Sequence, residues 1–199
     1  MSSHHQRPHH LGPTHLSLAT IAAALAVLPV AAFAQASPDI GITYDCDTAA
    51  NHFSELVLPA SAAPFTVTGK LRLNAVAASK EYLPVARLAI SNASDNPGVS
   101  DQPWAGFEYA MVPAIKKNPA TAILATSIFE VGKKVDMQPF AIPSAAEISF
   151  ALAYDGSHVV MTVDGHEKQF DFTATKPVVR IVCSTGEFLY TNLLIRPRG

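Results

Sequence analysis

The residues best suited to binding chemistry lie in the segment WAGFEYAMV, residues 104–112. Alternation along a strand places Trp104 and Glu108 on one face and the larger apolar side chains on the other. An indole beside a carboxylate combines an apolar platform with a hydrogen-bond acceptor, a combination that sugar sites use. Arg72 and Arg87 are expected to join this face from neighbouring strands. The alternative is that Trp104 closes one end of the domain while the arginines and Glu108 form ordinary surface ion pairs.

Alternation of apolar and polar residues also predicts the strands that position these side chains. It is clearest in FTVTGKLRLNAV, residues 65–76, and turn pairs such as Asp155-Gly156 and Asp164-Gly165 separate later candidates. The predicted strands are 40–44, 55–58, 65–76, 82–91, 104–112, 122–131, 147–154, 158–163, 168–172, 178–183 and 188–196. Pro84 within one of them predicts an edge position or a bulge. About ten short strands without a convincing amphipathic helix indicate an antiparallel β-sandwich or barrel.

Residues 1–34 have the pattern of a signal peptide. The segment 16–34 is uncharged and apolar, and small residues flank a cleavage point after Ala34 or, alternatively, after Ala36. A retained membrane anchor is disfavoured because alanine, which dominates this run, is only weakly apolar. We therefore predict a single domain over residues 37–199 that is secreted or periplasmic and has no membrane span after cleavage.

The charge of the remaining chain excludes one class of partner. Residues 1–34 contain a single fixed charge, Arg7. All sixteen acidic residues and all but one of the fourteen basic residues therefore remain, which gives a net charge of about −3. No basic stripe suited to a phosphate backbone is visible, and no dinucleotide or phosphate loop occurs. Nucleic acid is therefore not expected as a partner.

Cys46 and Cys183 are the only two cysteines. In an exported protein an even count favours a disulfide between them. The alternatives are two buried free thiols and, less favoured, a metal site, for which no pair of histidines lies near either cysteine.

A resemblance to a known fold family is found towards the C-terminus. The segment SFALAYDGSHVVMTVDG, residues 149–165, resembles the hairpin of concanavalin A-like jelly rolls of the laminin-G type, in which an aromatic-Asp-Gly turn leads into an alternating strand. The segment IVCSTGEFLYTNLLIRP, residues 181–197, resembles the closing strand of that fold. The resemblance is strongest over residues 147–196 and implies an all-β jelly roll whose closing strand returns beside the first strand and brings the two cysteines together. An immunoglobulin-like or other β-sandwich is the alternative.

The catalytic acids of that family's glucanases have no counterpart here. Those enzymes carry acidic residues that alternate along one strand, which this chain approaches only at Asp45-x-Asp47 and within residues 164–171. No Gly-x-Ser-x-Gly elbow accompanies the three histidines beyond the leader, which are His52, His158 and His166. We therefore expect no catalytic residue, and no cofactor other than calcium is considered.

Calcium is considered because laminin-G-like modules often hold one at the rim. The loop 92–101 provides oxygen donors suited to a hard cation, which are Asn92, Asp95, Asn96 and Asp101. Loops rich in Asn and Asp also form turns without an ion, so the expectation is no metal site, with calcium as the alternative.

These patterns together predict an exported, non-catalytic binding module for glycans or another cell-surface ligand. Its expected ligand-binding residues are Trp104, Glu108, Arg72 and Arg87. The alternatives are a structural or protein-interaction protein of the cell envelope and, less favoured, a diverged glycoside-active enzyme.

Overall fold

The computed structural model describes residues 40–60, 62–94, 102–130, 133–136, 139–143 and 146–198. These residues contain thirteen strands: β1 (Ile42–Asp47), β2 (Phe53–Pro59), β3 (Phe65–Val76), β4 (Val85–Asn92), β5 (Trp104–Val112), β6 (Thr121–Glu130), β7 (Lys133–Asp136), β8 (Phe140–Ile142), β9 (Ile148–Tyr154), β10 (His158–Val163), β11 (His166–Asp171), β12 (Pro177–Ser184) and β13 (Gly186–Pro197). No helix long and apolar enough to cross a membrane is found among them. The signal peptide predicted for residues 1–34 lies outside the described residues.

The strands form two antiparallel sheets. The first sheet has the order β1-β13-β3-β9-β10-β11, and the second has the order β2-β12-β4-β5-β6-β7 with β8 also paired to β6. The first six strands in the chain supply both sheets, since β1 and β3 join the first sheet while β2, β4, β5 and β6 join the second. The predicted antiparallel β-sandwich is therefore confirmed.

The core lies between the two sheets and consists of the side chains that point inward at every second position. Its largest fully buried members include Tyr109, Tyr154, Tyr190, Phe65 and Phe107. Burial of such aromatic side chains is the main stabilising contribution in a sandwich of this kind. The hydroxyl of Tyr154 donates to the Gly156 carbonyl at 3.0 Å and accepts from the Ala174 N–H at 2.8 Å. This buried polar group is therefore hydrogen-bonded, as burial requires.

The first and last strands pair with each other, as the family resemblance implied. Strand β1 runs antiparallel to β13, with Cys46 opposite Phe188. Cys46 forms a disulfide with Cys183, across a Cα–Cα distance of 6.2 Å. Cys183 lies on β12 of the second sheet, so the bond joins the two layers. The disulfide prediction is confirmed, and the free-thiol and metal-site alternatives are wrong.

Two Asp-Gly turns bracket β10 as predicted. Gly156, Asp164 and Gly165 have positive φ angles of 106°, 47° and 80°. At the first turn the Asp155 carboxylate accepts backbone N–H bonds from Ser157 at 2.8 Å and His158 at 2.7 Å. These two donors hold the pKa of the Asp155 carboxyl well below its ordinary range.

The prediction for Pro84 was wrong. Strand β4 begins at Val85, so Pro84 precedes the strand and needs no ladder hydrogen bond of its own. Its carbonyl accepts the Met111 N–H at 2.9 Å. Strand β4 itself lies inside the second sheet, between β12 and β5.

Candidate functional site

A cavity of about 230 Å³ lies on the outer face of the second sheet, over strands β2, β12, β4 and β5. We call it the sheet cavity. Its lining residues are Phe53, Glu55, Arg87, Ser91, Gln102, Trp104, Arg180 and Val182. Alternation explains why this face is polar, because the residues between these positions on the same strands point into the core.

Strand register brings the lining residues together from distant parts of the chain. Arg87 on β4 lies opposite Val182 on β12, which in turn lies opposite Glu55 on β2. Ser91 lies opposite Trp104, where β4 pairs with β5. Pairing of β12 with both β2 and β4 therefore builds the cavity.

Trp104 occupies an unusual position for a tryptophan of a sandwich. The side chain is 5% exposed but does not belong to the core cluster between the sheets. The Arg87 guanidinium carbon lies 4.6 Å from the centroid of its ring, a cation–π contact. Phe129 on β6 stacks beside it with ring centroids 6.3 Å apart. Trp104 therefore neither closes an end of the sandwich nor offers an open ring face. Its ring packs against the Arg87 guanidinium instead.

The two arginines of the cavity have different surroundings. Arg180 donates from Nη1 to Glu55 Oε1 at 2.7 Å, and the two side chains are only 12% and 27% exposed. The Nε of Arg180 is buried and has no hydrogen-bond partner. Burial lowers the pKa of Arg87, and the carboxylate of Glu108 opposes this shift. Both guanidinium groups carry N–H donors that can bind a ligand.

Gly106 allows strands β4 and β5 to approach beside Trp104. A Cβ at this position would lie 2.5 Å from the Ala89 Cα and closer still to the Leu88 carbonyl oxygen. Neither neighbour can move without moving the backbone of β4, so only glycine fits here. The same strand pair carries Arg87 and Trp104, and the glycine therefore supports their contact.

Two of the four predicted ligand-binding residues line the sheet cavity, and two do not. Arg87 and Trp104 are in the lining. Glu108 lies opposite Arg87 in the strand register, next to the cavity. Arg72 lies on β3, which pairs with β13 and β9 in the first sheet. The expectation that Arg72 shares a face with Arg87 was therefore wrong, because alternation along a strand does not reveal which sheet the strand joins.

Sequence reasoning missed the residues that β2 and β12 contribute. Glu55 and Arg180 are 125 residues apart in the chain, and each lies in a segment that the sequence predicted as a strand. A charged residue at an outward strand position is an ordinary feature of a sheet surface, so neither residue carried a signal. Phe53 could have been found, since it is a large aromatic residue that begins a strand.

No cation site is indicated within the described parts of the chain. They contain no cluster of three or more His, Cys, Asp or Glu side chains able to hold a metal ion. Asn92 Oδ1 accepts the backbone N–H groups of Thr175 at 2.8 Å and Lys176 at 3.2 Å. The other three proposed calcium ligands, Asp95, Asn96 and Asp101, lie outside the described residues.

No family model matches the chain, and no curated protein matches it in sequence. Three solved structures show a likeness at low identity, each with a TM-score below 0.5. A carbohydrate-binding module, CBM66, from Bacillus subtilis has a TM-score of 0.49 at 10% identity, covering 79% of this chain and 92% of its own. A legume lectin-like domain from Entamoeba histolytica has a TM-score of 0.46 at 8% identity, covering 81% and 88%. A Bacillus licheniformis β-glucanase has a TM-score of 0.42 at 10% identity, covering 82% and 95%.

The strand order describes the fold class more directly than these structural likenesses do. Two packed antiparallel sheets, strands supplied to both of them, and paired terminal strands agree with the all-β jelly roll that the sequence resemblance implied. At identities near one residue in ten the likenesses above say nothing about what this chain binds, and this scaffold carries many functions.

Proposed function

We propose that this protein is an exported, non-catalytic binding module that holds one sugar unit of a glycan in the sheet cavity. The observation that carries the proposal is the set of groups converging there, which combines an exposed aromatic ring with two arginines and a carboxylate. Sugars are recognised by such a pairing of apolar ring faces with planar hydrogen-bonding groups.

The chemistry of the lining matches a sugar in three respects. Phe53 is 75% exposed and offers the open ring face that Trp104 lacks. Arg87 and Arg180 donate hydrogen bonds to ring and hydroxyl oxygens, while Glu55 accepts from hydroxyl groups. The cavity of about 230 Å³ equals the volume of roughly eight water molecules, which suits a single monosaccharide.

A binding role is favoured over hydrolysis by the number of carboxylates. Among the residues that line the sheet cavity, Glu55 is the one carboxylate, and Arg180 holds it. Glycosidases of the usual kind need two acidic groups on either side of the scissile bond. Export is supported by the disulfide, since such bonds persist in oxidising compartments.

Titration of the domain against glycans selected on an array tests the proposal. Phe53→Ala and Arg87→Ala should each weaken binding by roughly tenfold or more, since truncating a hot-spot contact costs above 1 kcal/mol. Arg72→Ala is the matched control, because it removes the same side chain from the outer face of the other sheet. Absence of glycan binding, or equal weakening by Arg72→Ala, would contradict the proposal.

A protein-interaction role is the second candidate, and it is favoured by the edge formed by β1 and β2. These strands are joined across the two sheets by a hydrogen bond between Tyr44 Oη and Ser54 Oγ at 3.1 Å. Ile40 and Val57 are exposed at this edge. Such an edge can pair with another chain. If Val57→Asp disrupts an envelope complex that Arg87→Ala leaves intact, the second role replaces the first.

A further inference from the structure

We propose a second binding site, for an uncharged apolar small molecule, in a groove at one end of the sandwich. The groove measures about 500 Å³ and lies between the end of β3, the segment 77–84, the end of β5 and the segment 113–120. We call it the end groove. It is separate from the sheet cavity, since the two share no lining residue. The inference does not depend on glycan binding.

The lining of the end groove is mostly apolar, and its Asn74 and Ser79 side chains already have partners. Asn74 Nδ2 donates to Glu187 Oε1 at 2.8 Å. The Ser79 hydroxyl donates to Asn51 Oδ1 at 2.6 Å and accepts the backbone N–H groups of residues 81 and 82. No charged side chain is among the lining residues. A ligand that enters must therefore bring apolar surface, because a charged group would lose its water without gaining a partner.

The walls of the groove are held in place by hydrogen bonds and prolines. The Ala77 N–H donates to the Thr185 carbonyl at 3.2 Å, which ties the start of the 77–84 segment to the sandwich. The Pro84 carbonyl accepts the Met111 N–H at 2.9 Å and ties its end to β5. Pro113 stiffens the opposite wall. A preformed site loses less conformational entropy when it binds a ligand than a mobile surface does.

Exposed apolar side chains mark the same place. The described residues contain eight exposed large apolar side chains, of which Val76, Tyr82 and Leu83 line this groove and Ile115 lies in its 113–120 wall. Met111, only 5% exposed, lies beneath them. Concentration of half of these side chains at one end is the pattern of an interaction site, since apolar residues without a binding role are scattered singly over a surface.

Size selects the class of ligand. About 500 Å³ lies within the range of roughly 300–1,000 Å³ that holds a drug-sized molecule. Tyr82 provides an aromatic face, and the other lining side chains are apolar apart from Asn74 and Ser79. The ligand is therefore an uncharged compound with a ring system or a short alkyl chain, such as a terpenoid or an aromatic alcohol.

Fluorescence titration with the uncharged dye Nile red tests this site, with octanol as a competitor. The wild-type protein should bind the dye, and added octanol should displace the dye from the groove. Ala114→Trp, which fills the groove from its exposed rim, and Leu83→Ser, which removes part of the wall, should each weaken binding by about tenfold. Val57→Ser is the matched control, because Val57 and Leu83 are 43% and 42% exposed.

Thermal melts of each variant separate a lost site from a lost fold. Arg87→Ala should leave dye binding unchanged, so failure of the glycan proposal is distinguishable from failure of this one. The proposal is overturned if Nile red does not bind or if Val57→Ser weakens binding as much as Leu83→Ser. It is also overturned if Leu83→Ser abolishes binding to lipid vesicles while no soluble apolar probe binds, since the groove surface would then contact a membrane.

Discussion

Removal of the Cys46–Cys183 disulfide should lower the free energy of unfolding by about 5 kcal/mol. The bond closes a loop with a sequence separation of 137 residues. A cross-link of that length restricts the unfolded chain by roughly 17 cal/mol/K in the chain-entropy relation, which is about 5 kcal/mol at room temperature. For a domain of this size each kcal/mol corresponds to about 2–4 °C in Tm, so the expected fall is about 10–20 °C.

The assay is thermal and urea denaturation of the wild type, of the Cys46→Ala/Cys183→Ala double variant and of the wild type reduced while unfolded and then refolded. Both sulfur atoms are buried, at 1% and 0% exposure for their residues. The double variant therefore loses packing as well as the cross-link, whereas the reduced protein keeps both thiols and isolates the cross-link. The urea m-value should rise in both, because an unlinked chain exposes more surface when it unfolds.

Two results would refute this reasoning. The first is a reduced protein whose Tm lies within about 3 °C of the oxidised one, which would correspond to about 1 kcal/mol. The second is an unchanged m-value together with a large fall in Tm, which would place the loss in the folded state. The first result would mean that the joined layers are held by the core alone, and the second would mean that the bond acts on the folded state and not on the unfolded chain.

Three single substitutions are expected to lower the stability of the domain. Gly106→Ala should destabilise the domain by about 1–3 kcal/mol, seen as a lower urea midpoint, because the new methyl group presses on the Leu88 carbonyl. Tyr154→Phe should cost about 1–3 kcal/mol in the same assay, because it leaves the Ala174 N–H without its acceptor. Asp155→Ala should lower the midpoint at neutral pH. Since the folded pKa of Asp155 is depressed below its ordinary 3.8, the difference should shrink as the pH falls from about 5 to 2, and a difference that grows in acid would contradict the cause assigned.

Alternation predicted most strands and missed the shortest. Eleven predicted segments correspond to β1–β6 and β9–β13, with ends that differ by a few residues. Strands β7 and β8 contain four and three residues, which is too short for a period of two to stand out from chance. Pro84 was misplaced because its position relative to the strand start depends on the contact with Met111, which is distant in sequence.

The candidate site could be predicted only in part, because its residues meet through strand pairing. Trp104 and Arg87 were found from residue type and spacing within one strand or its neighbour. Glu55 and Arg180 become neighbours only when β12 inserts between β2 and β4. That pairing is long-range, and alternation specifies a face without specifying a partner strand. The disulfide was easier, since two cysteines allow a single pairing.

The position of β12 in the second sheet determines when the sheet cavity can form during synthesis of the chain. This strand is the twelfth of the thirteen described strands in chain order, yet it lies between β2 and β4 and supplies Arg180 and Val182 to the sheet cavity. A growing chain that ends before residue 177 holds neither the partner of Cys46 nor the strand on which β2 rests. Contacts of such long sequence separation form late and slowly. Under the proposed function, a chain that lacks β12 and β13 cannot form the sheet cavity, so ligand binding would report that residues 177–197 are in place.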